Sequence, residues 1–204
     1  MVASCVATGI PVALIGALAV RAHLSEPWRR ATKDVDIVVP RGHEAGMDSL
    51  LRGLGFVCFA MGPWRRGERG GLRVDVAFGE VVDLASFVAF PIDLRAAEHR
   101  GIGGRDLPVL PLEELLITKL IAHRDRDLLD VVALARERSA DAGRFRRLVA
   151  AADVEIAVRR GVLELAAGIE LGMLAELWEQ RAEHGLSSED WAGVLGAIRA
   201  LVGG

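Results

Sequence analysis

Arg30-Ala31-Thr32-Lys33-Asp34-Val35-Asp36-Ile37-Val38-Val39 is the stretch on which the reading of the whole chain turns. From Asp34 to Val39 it alternates with period two. Val35, Ile37 and Val39 fall on one face and Asp34 and Asp36 on the other, the pattern of a half-buried strand. Pro40, Arg41 and Gly42 end it. The two carboxylates leave one face about 6.8 Å apart along the strand. Like charges so placed repel, which leaves two readings open. Either the face is solvated at a sheet edge, or divalent cations relieve the repulsion, as where two ions about 3.5–4 Å apart serve phosphoryl or nucleotidyl transfer.

Working outward, Pro11 to Ile15 reads as a short buried strand with proline at its first position. Gly16 ends it and Ala17 to Leu24 has the composition of a short helix, so Gly16 sits where an unhindered backbone and a helix N-terminus can receive a phosphate. Ser25 to Lys33 is a polar loop. Beyond the acidic strand, His43 to Leu54 reads as a helix closed by Gly55, and Phe56 to Ala60 as a strand. Gly62 to Gly71 reads as a loop rich in glycine and arginine, and Leu72 to Phe78 as another strand. In that strand Leu72, Val74, Val76 and Phe78 oppose Arg73, Asp75 and Ala77, which makes Asp75 a third carboxylate on a polar strand face.

The second half is mostly helical. Leu107 to Leu110 suits a last short strand, and Pro111 then opens a helix. Leu112, Leu115, Leu116, Leu120 and His123 keep helical spacing, and Lys119 falls on the same apolar stripe. That lysine is either a cation aimed into a site or a snorkelling side chain with a buried stem. A second helix runs from Asp125, its cap, to Arg138. Ala140 to Gly204 holds three or so amphipathic helices, with turns at Gly143, Gly161 and Gly185 to Ser188. The expected class is α/β (α+β): a core in residues 1–110 with a short mixed sheet and helices on one side. An α-helical region, 111–204, would complete a cleft.

Composition narrows the function. The chain has 204 residues, 51% hydrophobic and 26% charged, with a net charge of -3, which excludes a disordered chain. A pI near 6.0 gives no global pull toward nucleic acid. The longest apolar stretch, Ile10 to Val20, falls well short of the ~20 residues of a membrane span. No Lys or Arg precedes it, as a signal peptide would require. The expected location is the cytoplasm, with no membrane partner. Cys5 and Cys58 suit small core hydrophobes. Arginine is the default cation here, whereas the only lysines are Lys33 and Lys119. A lysine that persists can reach a phosphate from a narrow site that a planar guanidinium fits less easily. Trp28 and Trp64 flank the proposed cleft and either could stack on a base or pack as a hydrophobe. Trp64-Arg65-Arg66-Gly67-Glu68-Arg69 and the Arg144, Arg146, Arg147 face are local basic patches or solvated surfaces. The five histidines show no metal-ligand spacing within one element.

The spaced combination resembles the nucleotidyltransferase (polymerase-beta-like) superfamily, and in particular the AbiEii/MenT-type toxins and small relatives. These carry a G-G-x-A-V … R-x-T-x-D-x-D pattern. Here it corresponds to Gly16-Ala17 and Arg30-Ala31-Thr32-Lys33-Asp34-Val35-Asp36. The likeness continues through Asp75, through Pro111 to Leu120 with Lys119, and through Arg126-Asp127-Leu128-Leu129-Asp130, over roughly residues 10 to 135. The resemblance implies Mg²⁺-dependent transfer of NMP from an NTP to an acceptor hydroxyl on an RNA end such as tRNA, a protein or a small molecule. It also implies a toxin or phage-defence role and a cognate antitoxin as partner. By the same resemblance Asp34 and Asp36 would hold two Mg²⁺ ions, and Asp75 would complete the site of the ion that activates the acceptor. Gly16 and Ala17 would approach the β/γ-phosphates, and Lys119 would neutralise triphosphate charge. Asp127 would orient Lys119 or the acceptor, with Asp130 beside it. Arg30 and Thr32 would support the loop that presents the acidic pair. Many active members have Gly-Ser where this chain has Gly16-Ala17, so the alternative is a catalytically silent nucleotide-binding partner of a toxin–antitoxin pair.

Overall fold

The computed structural model describes residues 1–25, 32, 34–180, 182 and 184–203. Trp28, Arg30 and Lys33 lie outside the described residues. A short helix α1 (Val2–Ala7) precedes strand β1 (Ala13–Ile15), helix α2 (Gly16–His23), strand β2 (Asp34–Val39) and helix α3 (Glu44–Gly53). Strands β3 (Val57–Met61), β4 (Trp64–Arg69) and β5 (Leu72–Phe78) follow. A small pair β6 (Glu80–Val82) and β7 (Ala89–Pro91) and a hairpin β8 (Glu98–Ile102) and β9 (Arg105–Val109) come next. The rest is helical: α4 (Leu112–Ala122), α5 (Asp125–Glu137), α6 (Ala142–Ala151), α7 (Glu155–Glu170), α8 (Met173–Glu179) and α9 (Ser188–Val202). The described residues of Met1–Ala22, Ala31–Val82 and Ala89–Pro111 form one compact unit, and those of His23–Arg30, Asp83–Val88 and Leu112–Gly204 another.

The first unit is built on a mixed sheet in the order β3-β4-β5-β2-β1-β9-β8. β2 runs parallel to β5, and β1 parallel to β9; the other neighbours are antiparallel. Ile37, Val39 and Val76 are fully buried, as are Met47 and Leu51 of α3. At about 25 cal/mol per Å² of apolar area, burial of this kind is what binds a helix to a sheet. The contact is close enough that a Cβ at Gly67 of β4 would come within 3.1 Å of Leu51. Cys5 supports the same layer, its Sγ 3.8 Å from the Met47 sulfur. The α3 terminus matches its sequence signal: the Gly55 N–H donates to the Arg52 carbonyl and the Phe56 N–H to that of Leu51, both at 2.9 Å, a Schellman ending.

One expectation is corrected here. Residues 62–71 are not a loop, because Trp64–Arg69 forms β4 between β3 and β5. Met61 pairs with Trp64, and Arg69 with Leu72, so each connection is a two-residue hairpin turn. Gly62-Pro63 and Gly70-Gly71 supply the positive φ such turns need, at 61°, 55° and 79°. The run Trp-Arg-Arg-Gly-Glu-Arg has little hydrophobic alternation of its own, and pairing on both sides, not propensity, makes it a strand. Segments too short or too polar for a periodic signal, α1, β6, β7 and β8, are likewise additions to the sequence reading.

In the second unit α4 is buried nearly all round, not on one stripe, and packs against α5, α6 and α7. It ends at Ala122; His123 leaves it with φ 33° and its ring Nδ1 lies 2.7 Å from the Ile121 carbonyl. The N-cap of α5 is Arg124, so Asp125 is its first helical residue and not its cap. Helices α6, α7, α8 and α9 stand where three or so were expected, and Gly143 and Gly161 lie inside helices, not at turns. Gly161 is explained by contact: a Cβ there would stand 2.0 Å from the Leu120 carbonyl oxygen. Only a glycine lets the α7 backbone rest on α4. Arg144 is not on a solvated face; it donates to Glu113 at 3.2 Å and Glu114 at 2.6 Å, both buried. Among the described residues no helix is long and apolar enough to cross a membrane.

Candidate active site

The strand registers place the predicted carboxylates in two transverse rows. The first runs Phe59 (β3), Arg66 (β4), Asp75 (β5), Asp36 (β2) and Ile15 (β1). The second runs Val57, Glu68, Arg73 and Asp34. Register partners, and residues two apart on a strand, share a face of the pleat. Asp34, Asp36 and Asp75 therefore occupy one face of the sheet, with Asp36 and Asp75 on neighbouring strands about 4.8 Å apart. That face is opposite the one covered by α3.

Gly16 abuts Asp36. Its φ is +62°, and a Cβ there would fall 2.1 Å from Asp36 Oδ2 and 2.8 Å from its Cγ. The carboxylate thus occupies the space a side chain at 16 would take. Asp34 is set by Thr32, whose Oγ1 lies 3.4 Å from both the Asp34 backbone N–H and its carbonyl.

Two arginines meet the carboxylates. Arg66 grips Asp75 with two parallel bonds, Nε to Oδ1 at 2.7 Å and Nη2 to Oδ2 at 3.0 Å. This hydrogen bonding raises the Arg66 pKa above its ordinary value. Arg73 pairs with Asp34 through Nη2, and its Nε lies 3.6 Å from Asp75 Oδ2. Neither arginine was assigned to the site from the sequence. Arg73 could have been, since alternation puts it on the face of Asp75. Arg66 was hidden by the reading of its strand as a loop.

Further along the face, Val57, Phe59 and Met61 of edge strand β3 are exposed. Trp64 is an anchor for the small sheet, its indole N–H donating to the Val82 carbonyl at 3.1 Å.

In the second unit, Lys119 lies between Asp127 and Asp130, its Nζ 2.8 Å from an oxygen of each, and its side chain is only 9% exposed. Arg124 reaches the other Asp127 oxygen at 2.7 Å. Burial alone would depress the lysine's pKa, but the two carboxylates outweigh it and hold the ammonium above its usual value. Burial would raise Asp127, yet Lys119 and Arg124 keep it below the usual carboxylate range. Two of the three ammonium donors are spent on this triad. It ties α4 to α5, and it brings together the three residues expected in the helical region.

The donor set on the sheet is of hard carboxylate oxygens, which suits Mg²⁺, and the missing Cβ of Gly16 leaves the Asp36 oxygen its position. By donor type these residues suit the metal. As they stand, no three His, Cys, Asp or Glu side chains among the described residues converge on one point, because Asp34 and Asp75 are turned to arginines.

The acidic pair on β2 and the third carboxylate on its parallel neighbour β5 thus lie on one face of a mixed sheet. Residues 1–197 match the family model "Nucleotidyl transferase AbiEii toxin, Type IV TA system". The chain belongs to this family and is a nucleotidyltransferase, and the match continues through the helical region where the sequence patterns stop. No curated protein matches the chain. Among solved structures, ANT(2″)-Ia in complex with adenylyl-2″-tobramycin shares the fold, at 16% identity and TM-score 0.50 over 76% of this chain and 93% of that one. JHP933 from Helicobacter pylori aligns at 13% identity and TM-score 0.49 over 98% and 86%. An antigenic nucleotidyltransferase-like protein from Paracoccidioides brasiliensis aligns at 16% and 0.47 over 78% and 88%.

Proposed function

We propose that the chain moves a nucleoside monophosphate from an NTP to an acceptor hydroxyl, with release of pyrophosphate, at the acidic rows of the first unit. The observation that carries this reading is the register pair Asp36 and Asp75, with Asp34 on the same face and Gly16 beside Asp36. Asp34, Asp36 and Asp75 would hold Mg²⁺. When bound, the metal offsets triphosphate charge and lowers the pKa of the attacking hydroxyl. Gly16 and Ala17 open α2 and offer backbone N–H groups to the β/γ-phosphates. The Ala17 side chain adds no hydroxyl to that cradle, so phosphate binding there relies on the backbone. Thr32 supports the segment that presents Asp34. For Lys119, whose ammonium is fixed by Asp127 and Asp130, the proposed role is nucleotide binding.

The acceptor is an RNA end, a protein or a small molecule, and the biological setting is a toxin or phage-defence component with a cognate antitoxin. Incubation with each labelled NTP, Mg²⁺, total RNA, cell protein and aminoglycosides will show which fraction takes up label. Asp36→Ala is expected to abolish both that labelling and metal-dependent triphosphate binding by calorimetry. Undiminished binding in this variant would remove the metal role of the acidic rows.

A further inference from the structure

We propose that Arg66 and Arg73 are exchangeable counter-ions of the acidic rows. They hold Asp75 and Asp34 in the nucleotide-free protein and release them to Mg²⁺ only as their guanidinium groups pass to the triphosphate. This rests on the proposed reading of the rows as a metal–nucleotide site. It adds two nucleotide-binding residues and an obligatory coupling between metal and nucleotide.

Competition for lone pairs is the first support. Mg²⁺ demands near-octahedral oxygen ligands at about 2.0–2.1 Å and gives up its water reluctantly. Both oxygens of Asp75 are already engaged by the Arg66 fork at 2.7 and 3.0 Å. Asp34 is engaged by Arg73, which also stands 3.6 Å from Asp75. A metal taking Asp75 or Asp34 Oδ2 would have to share those oxygens with the guanidinium groups, which weakens both contacts.

Charge is the second. The two guanidinium groups offset part of the carboxylate charge of the rows, so a lone divalent cation meets a weakened attraction. A triphosphate reverses this balance, because its oxygens match a guanidinium fork as well as a carboxylate does. The third is freedom to move. The side chains of Arg66 and Arg73 are 26% and 35% exposed, against 14% for Asp75. The Arg73 Nε is buried without a hydrogen-bond partner, so its present seat leaves one donor unsatisfied that a phosphate oxygen could take.

The test is calorimetric titration of Mg²⁺ into the full chain, alone and with a saturating α,β-methylene nucleoside triphosphate that cannot be turned over. Water-proton relaxation with Mn²⁺ serves as a second readout. For the wild type, affinity for the metal alone is expected to be at least roughly tenfold weaker than with the analogue. In Arg66→Met and Arg73→Met the metal alone should bind roughly tenfold tighter, and the metal-dependent uptake of analogue should weaken by a similar factor. Arg66→Lys keeps the charge without the fork and should fall between; it also carries the test if the methionine variants do not fold. Equal affinity for metal alone in wild type and variants, with tight binding in all, overturns the exchange but leaves the metal site standing. Absence of metal binding with and without analogue in every protein overturns the reading of the rows themselves.

Discussion

Gly16→Ala isolates the link between backbone and site chemistry. At φ +62° an alanine pays the left-handed penalty of roughly 1–2 kcal/mol. The new Cβ would also stand 2.1, 2.8 and 2.9 Å from Oδ2, Cγ and Cβ of Asp36, an overpacking cost of about 1–3 kcal/mol. The total, roughly 2–5 kcal/mol, would show as a lower urea midpoint. In an Asp36→Ala background the two shortest contacts disappear and only the Cβ contact remains, so mostly the backbone penalty should be left. A double-mutant cycle of wild type, the two single variants and the double variant, followed by circular dichroism in urea, should therefore give a coupling of about 1–3 kcal/mol. Slow hydrogen exchange of the β2 and β5 amides localises the effect to the first unit. If Gly16→Ala costs the same in both backgrounds to within about 0.5 kcal/mol, Gly16 and Asp36 do not contend for one space and the geometry drawn here is wrong.

Two further outcomes concern the helical unit. Lys119→Met leaves Asp127 and Asp130 without their shared cation and should cost about 3–5 kcal/mol; a loss under about 1 kcal/mol, the range of an exposed pair, would contradict the buried triad. Its pH profile should also invert. In the wild type, the lowered Asp127 pKa contributes stability that is full above the unfolded carboxylate value of about 3.9 and is lost as acid takes the pH through the folded pKa. The raised Lys119 pKa contributes stability that is full below about 10.4 and is lost as alkali takes the pH through its folded value. Without the lysine, the remaining carboxylates should make the variant more stable near pH 4 than near pH 7, read from melting temperatures at each pH. Gly161→Ala should lower stability by about 1–3 kcal/mol despite the better helix propensity of alanine, because its neighbour is the Leu120 backbone and cannot rotate away. Gly193→Ala, in open space on α9, should gain up to about 1 kcal/mol. Equal thermal shifts for the two glycine variants would refute the packing of α7 on α4.

Wherever a single strand or helix carries a periodic signal, the residues alone determined its course. Asp34 to Val39 and Leu72 to Phe78 are bounded as alternation requires, because the face that must be dry is spelled out every second residue. The acidic pair, the third carboxylate and the strand-to-helix glycine were legible for the same reason, as was the succession of a mixed core by helices. Tertiary structure alone decided what those carboxylates meet. Arg66 lies on a strand with no hydrophobic alternation, and it reaches Asp75 only because the Gly70-Gly71 turn folds β4 against β5 in a particular register. The stripe expected on α4 became a helix surrounded by others, so Lys119 is held inside by Asp127 and Asp130. Gly161, which looks like a turn, is a point of backbone contact. Periodicity records which way a side chain faces along its own element; which partner stands opposite depends on register and packing between segments distant in sequence, and no local pattern encodes that.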